Sequence, residues 1–132
     1  MYNNSKIIYL ADDDQDDRFF ISEAIKKLNP EIRIIEAENG VELLKMIREK
    51  NNPPVGLVLV DMNMPKMNGL ETVSAIRNSP GFSFIPAVML STSSDPSLIS
   101  LAYEAGVNSF FTKPSSLDGF IDLALQLACY LL

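Results

Sequence analysis

Val55-Gly56-Leu57-Val58-Leu59-Val60-Asp61-Met62-Asn63-Met64-Pro65 is an apolar run of strand length that stops on a carboxylate and breaks into a loop. No charged or polar side chain interrupts Val55 to Val60, so a strand here is buried on both faces, as in a parallel sheet covered by helices. The design recurs elsewhere. Ile7 to Ala11 runs into Asp12-Asp13-Asp14, Ala87 to Leu90 into Ser91-Thr92, and Phe110-Phe111 into Thr112 and then Lys113-Pro114. In an open parallel α/β sheet, ligands collect beyond the carboxyl ends of the strands. The four polar segments are therefore expected at one crevice, where carboxylates, a hydroxyl and a lysine suggest magnesium-assisted handling of a phosphoryl group.

Between these strands the chain reads as helices, in a strand–helix alternation repeated five times. Phe19, Phe20, Ile21, Ala24, Ile25 and Leu28 recur at helical spacing from Gln15 to Leu28, and Asn29-Pro30 ends the helix. Ile32 to Glu36 is a short strand; after Asn39-Gly40 a second helix runs to about Lys50, and Asn51-Asn52-Pro53-Pro54 breaks it. A third helix spans Leu70 to Arg77, followed by a strand over Ile85 to Leu90. Asp95 and Pro96 predict an N-cap and first helical residue, and Gly106 the matching C-cap. Ser109 to Thr112 is the last strand and Ser116 to about Leu131 the last helix. Buried strands alternating with amphipathic helices predict a parallel sheet with helices on both faces and right-handed crossovers.

The composition sets limits on function. The chain has 132 residues, 47% of them hydrophobic and 21% charged, the make-up of one globular domain over residues 1–132. A net charge of −6 with no basic stripe argues against nucleic-acid binding. The absence of histidine excludes histidine catalysis and ligation, and the single Cys129 fits a reducing compartment. Met1 to Lys6 is too polar and short for a signal peptide, and no apolar run approaches the roughly 18 residues that span a membrane. A cytoplasmic protein without membrane partners is expected.

Asp12, Asp13 and Asp61 brought into one crevice repel each other, by about 4 kcal/mol for a pair at about 4 Å and an effective dielectric near 20. A cation relieves this, and Mg2+ suits carboxylate oxygens. Asp14, Asp16 and Asp17 read better as acidic residues of a helix first turn. Asp61, partly desolvated at the end of a rigid strand, suits a nucleophile toward phosphorus. Asn63 can offer its backbone carbonyl to the metal, and Lys113 can pair with Asp61 and then with a phosphoryl oxygen. Either Ser91 or Thr92 can donate a hydroxyl; spacing does not choose between them.

The four motifs together resemble the receiver domain of two-component response regulators, over about Lys6 to Leu127. They are Ile8-Tyr9-Leu10-Ala11-Asp12-Asp13-Asp14, Asp61 to Gly69, Pro86 to Thr92 and Phe110-Phe111-Thr112-Lys113-Pro114. The resemblance implies a flavodoxin-like, doubly wound five-stranded parallel sheet in the order 2-1-3-4-5. It implies Asp61 as phosphoacceptor, Asp13 as a direct Mg2+ ligand with Asp61 and the Asn63 carbonyl, and Asp12 acting through metal-bound water. Ser91 falls on the switch hydroxyl, Lys113 on the phosphoryl-contacting lysine, Phe110 on the aromatic switch, and Lys113-Pro114 on a peptide bond that is usually cis. Serine stands where threonine is commoner, and phenylalanine where tyrosine is frequent, which removes a phenolic hydroxyl. Asp12-Gln15-Asp16-Asp17-Arg18 as a set resembles stand-alone members of the family.

The resulting expectation is a phosphorelay switch, not an enzyme on a separate substrate. A histidine kinase or phosphotransfer protein would phosphorylate it, and it would signal through the face built from the fourth helix, fifth strand and fifth helix. One rival is a degenerate receiver that only binds proteins or dimerises; the intact Asp13, Asp61 and Lys113 speak against it. A flavodoxin-like cofactor binder is the other, disfavoured because three aspartates occupy the place of its phosphate loop. The last helix is apolar nearly all round after Asp122, so Leu125, Cys129 and Tyr130 are expected in a homodimer or partner contact.

Overall fold

The computed structural model describes residues 6–130. Five parallel strands, β1 (Ile7–Ala11), β2 (Arg33–Ala37), β3 (Leu57–Asp61), β4 (Ala87–Ser91) and β5 (Ser109–Thr112), lie in the order β2-β1-β3-β4-β5. Each is followed by a helix: α1 (Gln15–Leu28), α2 (Gly40–Arg48), α3 (Gly69–Arg77), α4 (Pro96–Ala105) and α5 (Leu117–Leu127). This is the flavodoxin-like, doubly wound order expected from the sequence, and order reversal beside β1 opens a crevice at the strands' carboxyl ends.

Alternation along the strands makes two cores. Tyr9, Ala11, Val58, Val60, Ala87 and Met89 pack under α2, α3 and α4 with Leu43, Leu44, Val73, Ile76 and Ala102. Ile8, Leu10, Leu57, Leu59, Val88 and Leu90 pack under α1 and α5 with Ile21, Ile25, Phe120, Leu123 and Leu127. The central strands β1, β3 and β4 are buried along their whole length, as double coverage by helices requires.

Local chemistry fixes the helix ends. Asp14 caps α1 by accepting from the Asp16 and Asp17 amides, and Asn68 with Glu71 forms a reciprocal capping box on α3. Asp95 caps α4, with Pro96 in its first turn, and Gly106 closes it at φ +113°. α5 is shorter than expected: it gives way at Ala128 to a 3-10 turn reaching Tyr130, and Leu131 and Leu132 lie outside the described residues. Its inner residues Leu123, Ala124 and Leu127 are buried, whereas Leu125 and Cys129 are exposed. Tyr130 departs from expectation. It is half-buried and its hydroxyl is hydrogen-bonded to Ser109 Oγ on β5, so the interface expected of these residues narrows to Leu125 and Cys129.

Candidate functional site

The ends of β1, β3, β4 and β5 are laced together by backbone hydrogen bonds. The Met62 amide donates to Leu90 O at 2.8 Å and the Lys113 amide to Ser91 O at 2.7 Å, so the ladder continues past the apolar runs into the polar segments. Ala11 is level with Val60, which brings the next residues, Asp12 and Asp61, side by side. Asp12 and Asp61 share the parity of Leu10 and Leu59 and so face the α1/α5 side. Ser91 shares the parity of Met89 and faces the α2–α4 side, where Phe110 also packs, half-buried. Gly69 is needed behind Asp61: a Cβ there would stand 2.6 Å from the Asp61 carbonyl oxygen, too close for any side chain.

Asp12 is completely buried. Its Oδ1 accepts from the Asp14 amide at 2.9 Å, and its backbone carbonyl accepts from Arg18 Nη1 at 2.6 Å. Lys113 Nζ lies 2.8 Å from Asp12 Oδ2, 2.8 Å from Asp17 Oδ2 and 3.4 Å from Asp61 Oδ2. The expected Lys113–Asp61 pair is present, but the lysine sits closer to Asp12 and to Asp17, whose place in a helix first turn does not foretell this contact. Among the other residues singled out, Asp13 and Asn63 are exposed beside the cluster, Ser91 is buried, and Thr92 is exposed. Ser91 Oγ accepts from the Ser93 amide at 3.1 Å. The structure therefore separates the two hydroxyls that spacing could not.

The Lys113–Pro114 bond is trans: the described residues contain no cis peptide bond. This corrects the cis expectation. The tertiary amide before proline lowers the preference for trans to about 0.5–1 kcal/mol without abolishing it, and with this bond trans Lys113 still reaches all three carboxylates.

Burial pushes the Asp61 carboxyl up to about 6, with the Asp12 charge adding to the effect and Lys113 and the Asn63 amide opposing it. Asp12 is raised as well, first by burial, with Asp17 adding to it and Lys113 and the Asp14 amide opposing. Burial acts to lower the Lys113 ammonium, but Asp12, Asp17 and Asp61 hold it above the ordinary lysine range. Asp12, Asp13 and Asp61 each bring a carboxylate oxygen to within 4.8 Å of the others. An anionic, all-oxygen donor set at this separation fits a hard divalent cation, and the raised acids are those that such a charge would relieve.

A receiver domain of response regulators is the family whose model matches residues 8–124, most of the chain. The chain belongs to that family. As a receiver it is similar to the chemotaxis protein CheY1 of Helicobacter pylori, 33% identical over 107 residues, covering 81% of this chain and 84% of that protein. It is also similar in structure to the Mn2+-bound form of response regulator Rcp1, with a TM-score of 0.85, 27% identity, and coverage of 96% of this chain and 94% of that one. The phosphorylated cyanobacterial phytochrome response regulator RcpA superposes with a TM-score of 0.87 at 28% identity, covering 96% of this receiver and 93% of that chain. Receivers are signalling modules of two-component systems, and no helix of the described residues is long and apolar enough to cross a membrane.

The loop after Asp61 carries a strained residue that the sequence does not advertise. The Met67 amide donates to Pro65 O at 2.7 Å, closing a three-residue turn around Lys66, which sits at φ +67°. A side chain with Cβ is disfavoured there by about 1–2 kcal/mol, and asparagine tolerates it best among non-glycine residues. Lys66→Asn is expected to raise stability by about 0.5–1 kcal/mol in urea unfolding; an unchanged or lower midpoint would count against strain at this turn.

Proposed function

We propose that this receiver is a phosphorylation-dependent switch that takes a phosphoryl group on Asp61 from a histidine kinase or phosphotransfer protein. The observation that carries the reading is the buried Asp61 carboxylate beside a lysine ammonium and two further aspartates at one strand end. One Asp61 oxygen forms the bond to phosphorus as the phosphorus–nitrogen bond of the donor phosphohistidine breaks, and the electron pair stays on the imidazole nitrogen. Lys113 neutralises charge on the phosphoryl oxygens, and Ser91 donates its hydroxyl to one of them. Asp13, Asp61 and the Asn63 carbonyl would hold Mg2+, with Asp12 acting through water. When bound, the ion screens the nucleophile from the phosphoryl oxygens and spreads their charge. Water attacking phosphorus resets the switch, releasing inorganic phosphate and returning the Asp61 carboxylate.

The added charge of about −1.5 to −2 draws Ser91 and Lys113 inward. Phe110, on the same face of the sheet as Ser91, follows into the space vacated. The α4-β5-α5 surface then changes population between two pre-existing shapes. The domain serves as a switch and acts only on its own phosphoryl group. Incubation with labelled acetyl phosphate and Mg2+ should label the wild type and leave Asp61→Asn unlabelled. Absence of label in the wild type would assign the chain instead to the rival class of receivers that only bind proteins.

The exposed residues of α5 and of the turn after it support a partner contact. Leu117, Ile121, Leu125 and Cys129 recur every four residues on the outer side, forming an apolar stripe on the surface. We place a homodimer or partner contact there, with Leu125 and Cys129 at its C-terminal end. Light scattering at high concentration should show a dimer that Leu125→Lys dissociates; a monomer with and without a phosphoryl mimic would remove the homodimer.

A further inference from the structure

Asp17 is the residue nearest Lys113 that the proposed chemistry leaves unused, and it is built into place. It follows the Asp14 cap, whose side chain accepts from the Asp17 amide at 3.1 Å. The next residue, Arg18, is buried and joins α1 to both neighbouring strands: Nη1 donates to Asp12 O at 2.6 Å and Nε to Glu36 Oε1 on β2 at 2.9 Å. Successive residues on a helix lie about 100° apart, so with Arg18 turned toward β2, Asp17 is turned away from it, toward Lys113. There its Oδ2 stands 2.8 Å from Lys113 Nζ, on a side chain only 8% exposed.

A lysine ammonium has three N–H donors. Asp12 Oδ2 and Asp17 Oδ2 each form an ion pair with it at 2.8 Å, and no aligned hydrogen bond satisfies the buried Asp12 Oδ2. The third neighbour, Asp61 Oδ2, is at 3.4 Å, within the field of the charge but beyond a good hydrogen bond. We infer that Asp17 is a positioning residue: with Asp12 it holds the Lys113 ammonium by ion pairing at 2.8 Å, so that the charge stands back from Asp61 at 3.4 Å and stays available to the group arriving there. Without Asp17 the ammonium has two carboxylate neighbours, Asp12 and Asp61. It closes on Asp61, the group that must stay free to attack. The inference rests on the proposed phosphoryl acceptance by Asp61 for its consequence in rate, but not for its geometry.

In the transfer from acetyl phosphate, an Asp61 oxygen bonds to phosphorus while the bond from phosphorus to the acetyl oxygen breaks. Acetate departs with the electron pair, and Asp17 and Lys113 exchange no proton. Asp17 therefore acts on rate only through where it holds Lys113.

The control lies one residue away. Asp16 is in the same first turn and contributes equally to the helix dipole, but it is exposed and has no contact with Lys113. In metal-free, 15N-labelled protein, the buried and ion-paired Lys113 ammonium should give a slowly exchanging Nζ signal in the wild type and in Asp16→Ala. In Asp17→Ala it should be lost, and in Asp17→Asn, which keeps an oxygen acceptor, partly restored. With Mg2+ and labelled acetyl phosphate, the initial rate of labelling should fall about tenfold in Asp17→Ala and stay within about twofold in Asp16→Ala. The metal affinity of both variants should move together, since neither residue is among the proposed ligands. A Lys113 signal indifferent to Asp17→Ala, or equal rate losses in the two alanine variants, would overturn the inference. A wild type that takes no label would overturn the proposed function instead, and the ammonium signal would still decide whether Asp17 holds the lysine.

Discussion

Asp61→Asn is expected to abolish phosphoryl uptake and to make the metal-free protein more stable than the wild type above pH 6. The stability effect follows from the raised carboxyl, about 6 in the folded chain against 3.8 ordinarily. Between those values the folded state binds more protons than the unfolded one, so stability falls as pH rises from about 4 to 6. The interval is about two pH units at about 1.36 kcal/mol each, so the loss approaches about 3 kcal/mol once Asp61 is fully ionised. Asp12, shifted in the same direction, steepens the fall. An asparagine at position 61 cannot ionise, and its variant should lose less over that range. Mg2+ should stabilise the wild type above pH 6 and Asp61→Asn much less, because preferential binding to the folded state adds stability only where the site survives. Urea unfolding of both proteins from pH 4 to 7.5, with chelator and with Mg2+, measures all of this. Parallel curves would mean that Asp61 carries no electrostatic strain.

Lys113→Met should be the most damaging single change at the site. It leaves Asp12 and Asp61, with side chains at most 6% exposed, facing each other without their cation. Removing one partner of a buried ion pair costs about 3–5 kcal/mol, because the other charge stays desolvated. The loss should be largest in metal-free protein near neutral pH. It should shrink toward pH 5, where protonation removes the uncompensated charge, and shrink again with added Mg2+. Phosphoryl labelling should fall with it, since no group replaces the ammonium at the phosphoryl oxygens. A stability change below about 1 kcal/mol in metal-free protein at pH 7.5 would show that the three carboxylates do not share this lysine.

The sequence was most legible where local chemistry is decisive. α1 begins and ends where the apolar period and Asn29-Pro30 place it, and α4 begins after Asp95 and ends at Gly106 as its capping residues require. Strand limits were less so, because they depend on neighbours. β3 starts at Leu57 rather than Val55, since the ladder to β1 begins at Ile8 opposite Leu57. β4 runs on to Ser91 because it pairs with Thr112. The four polar segments converge as strand ends must, but which side each takes follows from parity along strands whose limits only the ladder sets. Hence the burial of Ser91 and exposure of Thr92 were not readable in advance. Asp17 escaped for a related reason: its partner is ninety-six positions away, and an acidic residue in a first turn already has a sufficient local explanation. The trans bond before Pro114 departs from an expectation that rests on likeness to other chains, with no residue here compelling it.

Because the acids and Lys113 lie on one side of the sheet and Phe110 packs on the other, the sheet would divide the proposed reaction from its proposed readout, with Ser91 serving both. The bond from the Lys113 amide to Ser91 O is a rung crossing that partition. Residues around Phe110, Ser91 apart, could therefore be exchanged to suit a different listener while the reacting groups keep their places. A module divided in this way can be rewired to new circuits without relearning its chemistry.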